Sequence, residues 1–251
     1  MRPKKSLGQN FLTNEDIAKQ IAGLVPPGNN VLEIGPGHGA LTKYLIPPAK
    51  TFTAIDLDKT LIDKMQALYS HTSHRFIHAD ILQTDISALA GHNRVFVVGN
   101  IPYYITTPII FHILAAGQSV EGFVLMMQKE VAERIVARSG NKQYGILSIM
   151  TQLQARVTYE LDVPASEFYP QPKVDSAVVR FEIPDKPLYP DCDCTNLSLL
   201  VRQAFGQRRK MLRGTLKAFP LEKTNVDLTL RPEDLSIEQW IQLTNDLFNQ
   251  D

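Results

Sequence analysis

VLEIGPGHGALTKYL, residues 31–45, reads in one pass as a strand, a glycine-rich turn and a helix. An apolar run ends at Ile34, glycines follow at positions 35, 37 and 39, and apolar residues then recur at helical spacing. Glycines in such a turn let the backbone approach a ligand closely, and the helix start offers unpaired N–H groups. The pattern repeats outward. VLEI (31–34), FTAI (52–55), RFIHA (75–79), VFVV (95–98) and FVLMM (123–127) read as strands, with IAKQIAGLV, ALTKYLI and TLIDKMQALY as the helical stretches around them. Strands alternating with helices predict a doubly wound α/β fold around a mostly parallel sheet.

The rhythm then changes. ARVTYELDV (155–163) and DSAVVRFEI (175–183) are strands joined by a proline-rich loop with no room for a crossover helix, which predicts an antiparallel pair at the sheet edge. IPDKPLYPDCDC (183–194) reads as a linker and the remainder as helical. Two domains are expected, residues 1–184 and 185–251. Ser236 followed by Gln239 resembles a capping box opening the last helix, with Trp240 on its apolar face.

Composition narrows the class. The apolar fraction of 44% is ordinary for a soluble globular protein. No apolar run reaches the roughly 18 residues of a membrane helix, and MRPKKSLGQNFLTNED lacks the apolar core of a signal peptide, so a cytoplasmic protein without membrane association is expected. Cys192 and Cys194 make neither a disulfide framework nor a four-ligand zinc site, and no metal is expected. The net charge of zero hides an uneven distribution: Arg202 to Leu221 holds six basic residues and no acidic one, while Glu222 to Asp251 holds seven acidic residues against Lys223 and Arg231.

The turn's spacing is G-x-G-x-G, without the third glycine of the dinucleotide pattern. Glu33, just before it, would repel a pyrophosphate but suits a cationic ligand carrying an amino acid, such as S-adenosylmethionine. Asp56 ends the second strand, where a carboxylate can accept both ribose hydroxyls. Asp80 ends the third and suits an adenine amino group, with Ile81 against the ring; a strand-end Asp also serves as a helix cap. Carboxylates on three successive strands, all at carboxyl ends, favour a nucleoside-sulfonium cofactor over NAD, because open α/β sheets bind ligands on that rim.

The fourth strand delivers VVGNIPYYITTPII (97–110) to the same rim. An amide such as Asn100, with a backbone carbonyl held by Pro102, can accept from an adenine amine and favour the tetrahedral nitrogen that attacks a methyl group. Tyr103 can stack on the base. The competing reading is a strand-end turn whose aromatics pack on the core.

Asn-Ile-Pro-Tyr (100–103), the E-x-G-x-G-x-G turn (33–39), KKSLGQNFL (4–12), EFYPQPKVDSAVVRF (167–181) and FGQRRKMLRGTL (205–216) together resemble the ribosomal RNA adenine N6,N6-dimethyltransferases over essentially the whole chain. The resemblance implies a seven-stranded class I, Rossmann-like methyltransferase domain and a small helical rRNA-binding domain. It implies that Gln9, Asn10 and Leu12 close over the methionine end of S-adenosylmethionine, alongside Glu33, Gly35, Gly37, Gly39, Asp56, Asp80, Ile81 and Asn100. It further implies that Phe168 stacks opposite Tyr103, in a catalytic set completed by Asn100 and Pro102. Many relatives carry Glu at the position of Asp56. Lys4, Lys5, Arg208, Arg209 and Arg213 are expected on phosphates, fixing RNA without reading its sequence. The implied substrate is 16S rRNA of the assembling small (30S) subunit, dimethylated at two adjacent adenosines of its terminal hairpin loop by a monomer. Two rivals stay open at this stage. One is the resistance relative that methylates an adenosine of large-subunit rRNA; the other is an assembly factor acting chiefly by binding.

Overall fold

The computed structural model describes residues 3–4 and 7–248. In chain order the strands are β1 (Phe11–Leu12), β2 (Asn30–Ile34), β3 (Thr51–Asp56), β4 (Arg75–His78), β5 (Val95–Asn100), β6 (Val120–Gln128), β7 (Arg156–Val163), β8 (Phe168–Tyr169) and β9 (Ser176–Glu182). The helices are α1 (Glu15–Gly23), α2 (Thr42–Leu45), α3 (Lys59–Leu68), α4 (Ile86–Ala90), α5 (Thr106–Ala115), α6 (Lys129–Val136), α7 (Ile146–Gln152), α8 (Cys194–Phe205), α9 (Leu212–Thr215) and α10 (Ile237–Phe248). None is long and apolar enough to cross a membrane. The chain divides into two compact units: residues 1–132 with 156–185, and 133–155 with 186–251.

The first unit is built on a seven-stranded sheet in the order β4-β3-β2-β5-β6-β9-β7. The pairs among β4, β3, β2, β5 and β6 are parallel. Residues 95–99 of β5 are all buried, as expected of a central parallel strand covered on both faces. Val31, Phe52, Phe96, Val124 and Val178 face one side, where Ala18 and Ile21 of α1 and Leu45 of α2 close a single core. On the edge, β9 pairs antiparallel with both β6 and β7. The expected hairpin is therefore present, with its return strand inserted between β6 and β7 rather than left outside.

Two features depart from the expected layout. A second, two-stranded sheet joins β1 to β8, Phe11 opposite Tyr169 and Leu12 opposite Phe168. The other concerns the division of the chain. Residues 133–155, expected in the first domain, belong to the second unit, because Tyr144, Ile149 and Leu153 pack in one core with Leu200, Ala204 and Trp240.

That second unit is helical. Gln239 N–H donates to Ser236 Oγ at 3.3 Å, and Ser236 N–H to Gln239 Oε1 at 2.9 Å, so the capping box does open α10. Trp240, on the next turn, is fully buried. Between β9 and α8 the chain carries neither helix nor strand.

Candidate active site

The three glycines after β2 all adopt positive φ (70°, 57° and 86°), which ordinary residues avoid. At Gly37 a Cβ would also lie 3.0 Å from the Phe11 ring, and at Gly35 one would lie 3.4 Å from the Asn100 carbonyl oxygen. The turn therefore lies flat against both the N-terminal arm and the end of β5. Beside it opens a cleft enclosing about 790 Å³ of empty space, part of it open to solvent.

Several expected residues meet in this cleft. Gln9, Asn10, Gly35, Gly37, Asp56 and Ile81 line it on one side, and Asn100, Pro102 and Tyr103 on the other. Asn100 Nδ2 donates to the Asn10 carbonyl at 3.0 Å, which fixes the amide plane and leaves Oδ1 for another donor. The Pro102 carbonyl accepts from Ile105 N–H at 3.2 Å and is occupied. Burial pushes the Tyr103 phenol above its ordinary value, so it stays neutral in any ordinary buffer.

The carboxylates divide the work. Burial pushes Asp56 up, while N–H groups of Asp58 and Gly37 pull it back. Asp58, two residues on, collects Lys4 Nζ at 2.7 Å, Gln9 Nε2 at 3.0 Å and Thr60 N–H at 3.1 Å. Burial pushes its carboxyl up too, but these donors outweigh it and hold it below the usual range. Sequence reasoning missed Asp58, because an Asp before a helix reads as a cap, which it also is. Phe11 was missed as well; its ring meets His38 of the glycine turn at 4.4 Å.

Other expected residues lie off the cleft surface. Glu33 sits behind the turn, 1% exposed, accepting from Thr42 Oγ1 at 2.6 Å, and burial raises its pKa to about 8. Asp80 caps the turn at Ile81, taking Leu82 N–H at 2.9 Å. Gly39 packs toward Met65. Leu12 and Phe168 are buried in the unit's core. Because side chains alternate along a strand, pairing β8 on β1 turns Phe168 inward and leaves Tyr169 65% exposed. In this conformation Phe168 has no face free for a base.

The expected phosphate contacts also separate. Lys4 is ion-paired with Asp58, and Lys5 lies outside the described residues. Arg208 is ion-paired with Glu233 and donates to the Lys142 carbonyl, so it ties the second unit together. Arg209 and Arg213 are exposed. Among the described residues no group of three or more His, Cys, Asp or Glu is placed to hold a metal ion.

A sheet in this strand order, with its sixth position reversed and a glycine turn after the central β2, defines a class I methyltransferase. The rim motif Asn100–Tyr103 narrows the class, and the comparison with known proteins agrees. The family model for ribosomal RNA adenine dimethylase matches residues 1–250, and the chain belongs to that family. A ribosomal RNA small subunit methyltransferase A from Chlorobium phaeobacteroides is 44% identical over 248 residues, 97% of this chain and 93% of the relative. Among solved structures, a dimethyladenosine transferase from Plasmodium falciparum superposes with a TM-score of 0.79 at 27% identity, covering 93% of this chain and 95% of that one. The 23S rRNA methyltransferase ErmE gives 0.76 at 26% identity, covering 95% and 100%.

Proposed function

We propose that the protein dimethylates N6 of two adjacent adenosines in the 3′-terminal hairpin loop of 16S rRNA, using S-adenosylmethionine, during assembly of the small ribosomal subunit in the cytoplasm. The observation that carries the reading is Asn100, its amide held by the Asn10 carbonyl at the rim of a glycine-floored cleft, three residues from Tyr103. Relatives named for the small-subunit reaction match nearly the whole chain, which favours this substrate over large-subunit rRNA.

The residues fit the cofactor. Asp56 ends β3 on the cleft, where ribose hydroxyls would lie, with Gln9, Asn10 and the glycine turn around it, whereas Glu33, buried behind the turn, would act through the turn's packing rather than on the ligand. Bound there, S-adenosylmethionine would supply an electrophilic methyl group.

The chain's own residues do the rest. Asn100 Oδ1 and the Ile101 carbonyl would accept from the target amine and draw its lone pair out of conjugation with the ring. Fixed acceptors of this kind are typically worth about 100- to 1,000-fold in rate. Tyr103 would stack on the base, a contact worth roughly 1–3 kcal/mol. That helps offset the few kcal/mol of extruding it. Neither Asn100 nor neutral Tyr103 serves as a general base, and none is required once the nitrogen carries positive charge. Phe168, packed in the core, supports the N-terminal arm through β8 and β1 and would reach the base only if that pairing opened. Exposed Arg209 and Arg213 would anchor RNA phosphates. The protein would act as a monomer.

Methyl transfer to small subunits from cells lacking the modification, read by nucleoside mass spectrometry, tests the reading. Wild type should yield N6,N6-dimethyladenosine, and Asn100→Ala should lose about 100- to 1,000-fold in rate with cofactor affinity within a few-fold. Near-normal transfer by Asn100→Ala would remove the mechanism; transfer to large-subunit RNA alone would move the substrate.

A further inference from the structure

The Tyr103 hydroxyl does not end in solvent. It lies 2.7 Å from Oγ of Ser176, a fully buried residue whose hydroxyl bonds no other side chain among the described residues. The following residues, Ala177, Val178 and Val179, are all apolar and fully buried. A buried hydroxyl in such surroundings costs stability unless it is bonded, and Tyr103 is what bonds it.

The location of Ser176 follows from topology. β9 runs against the parallel strands, so its first residue stands at their carboxyl ends, on the rim that carries Asn100. There Ser176 is laddered on both sides, opposite Gln128 of β6 and Val163 of β7. Tyr103, by contrast, opens a three-residue 3₁₀ turn with no side-chain cap. A fixed post meets a short turn.

The geometry of a phenol says what the bond can do. Oη lies on the ring's long axis, so holding it fixes where that axis points. The O–H lies in the ring plane, so a partner near that plane also biases the ring's rotation. We propose that Ser176 is a positioning residue for methyl transfer: by holding the Tyr103 hydroxyl it sets the plane on which the target base stacks, without touching the base. This rests on the reading of Tyr103 as the stacking residue.

The test uses the full-length protein with Ser176→Ala, Tyr103→Phe, the double variant and Ser176→Thr. Three quantities are measured: kcat and KM on unmodified small subunits, cofactor affinity by calorimetry, and fluorescence of 2-aminopurine placed at the target position of a hairpin RNA. Each single deletion should lower kcat about 3- to 10-fold, the effect of one neutral hydrogen bond. KM for RNA and cofactor affinity should stay near wild type, and 2-aminopurine quenching should weaken. The double variant should be no worse than either single, and Ser176→Thr, which keeps the hydroxyl, should recover most of the rate.

Unchanged kcat in Tyr103→Phe overturns the proposal, even if Ser176→Ala does not fold. Additive losses in the double variant overturn it as well. So does a parallel fall of cofactor affinity and melting temperature, which would mark a structural role. An inactive wild type removes the underlying reading and this inference together, whereas an active wild type with a normal Ser176→Ala rate removes the inference alone.

Discussion

Glu33 carries a carboxyl into the core with one hydroxyl for company, Thr42 at 2.6 Å. Its pKa of about 8, raised chiefly by burial, ties stability to pH with a definite sign. Below the ordinary carboxylate range the group is protonated in folded and unfolded chains alike, and its contribution is complete. As pH rises toward 8 the unfolded chain releases the proton first, so stability is lost across that window. The span corresponds to an upper bound on the order of 5 kcal/mol. The ligand-free protein should therefore melt progressively lower from pH 5 to pH 9, and Glu33→Gln, which keeps a partner for Thr42, should flatten the curve. Thermal denaturation of both proteins across that range checks it; parallel curves would show that Glu33 does not titrate as described. The chemistry of this residue was legible in the sequence, since a carboxylate before a glycine turn stands out. Its depth was not, because one residue's position on the pleat decides whether it faces the cleft or the layer behind it.

Among elements, the N-terminal arm is tied to the cleft by identifiable side chains. Asp58 holds Lys4 and Gln9 together at the exit of β3, beside Asp56. Asp58→Asn removes the ion pair while keeping a helix cap. Cofactor affinity should then weaken several-fold and lose part of its salt dependence, with kcat at saturating cofactor close to wild type; calorimetry at two ionic strengths checks this. The strands β2 to β6 and the β7–β9 hairpin could be read from apolar runs and turn residues, because each is long enough to show a pattern. β1 and β8 could not, since two residues have no period. Their pairing is what turns Phe168 from an expected stacking residue into core. Ser176 was equally hidden, as one serine opening an apolar strand carries no signal until the topology brings Tyr103 to it.

At the scale of the whole molecule, the local charge bias was legible but the division of labour within it was not. Arg208 is committed to Glu233 and Lys142, whereas Arg209 and Arg213 are exposed. Arg208→Ala should lower the melting temperature. Arg209→Ala and Arg213→Ala should leave it unchanged, weaken RNA binding, and each reduce the slope of log affinity against log salt by about one. Binding isotherms at several salt concentrations, with melting curves alongside, separate the two outcomes; equal salt slopes in all variants would place the phosphates elsewhere. The boundary between the units was hidden for a related reason: apolar residues around α7 do not say which core receives them. That α7 shares a core with α8 and α10, on the far side of the β7–β9 hairpin in sequence, has a consequence during synthesis. Tyr144, Ile149 and Leu153 leave the exit tunnel well before Leu200, Ala204 and Trp240. The growing chain must therefore hold these apolar side chains without their final partners while the edge of the sheet is laid down, and the helical unit closes only after α8 and α10 have been made.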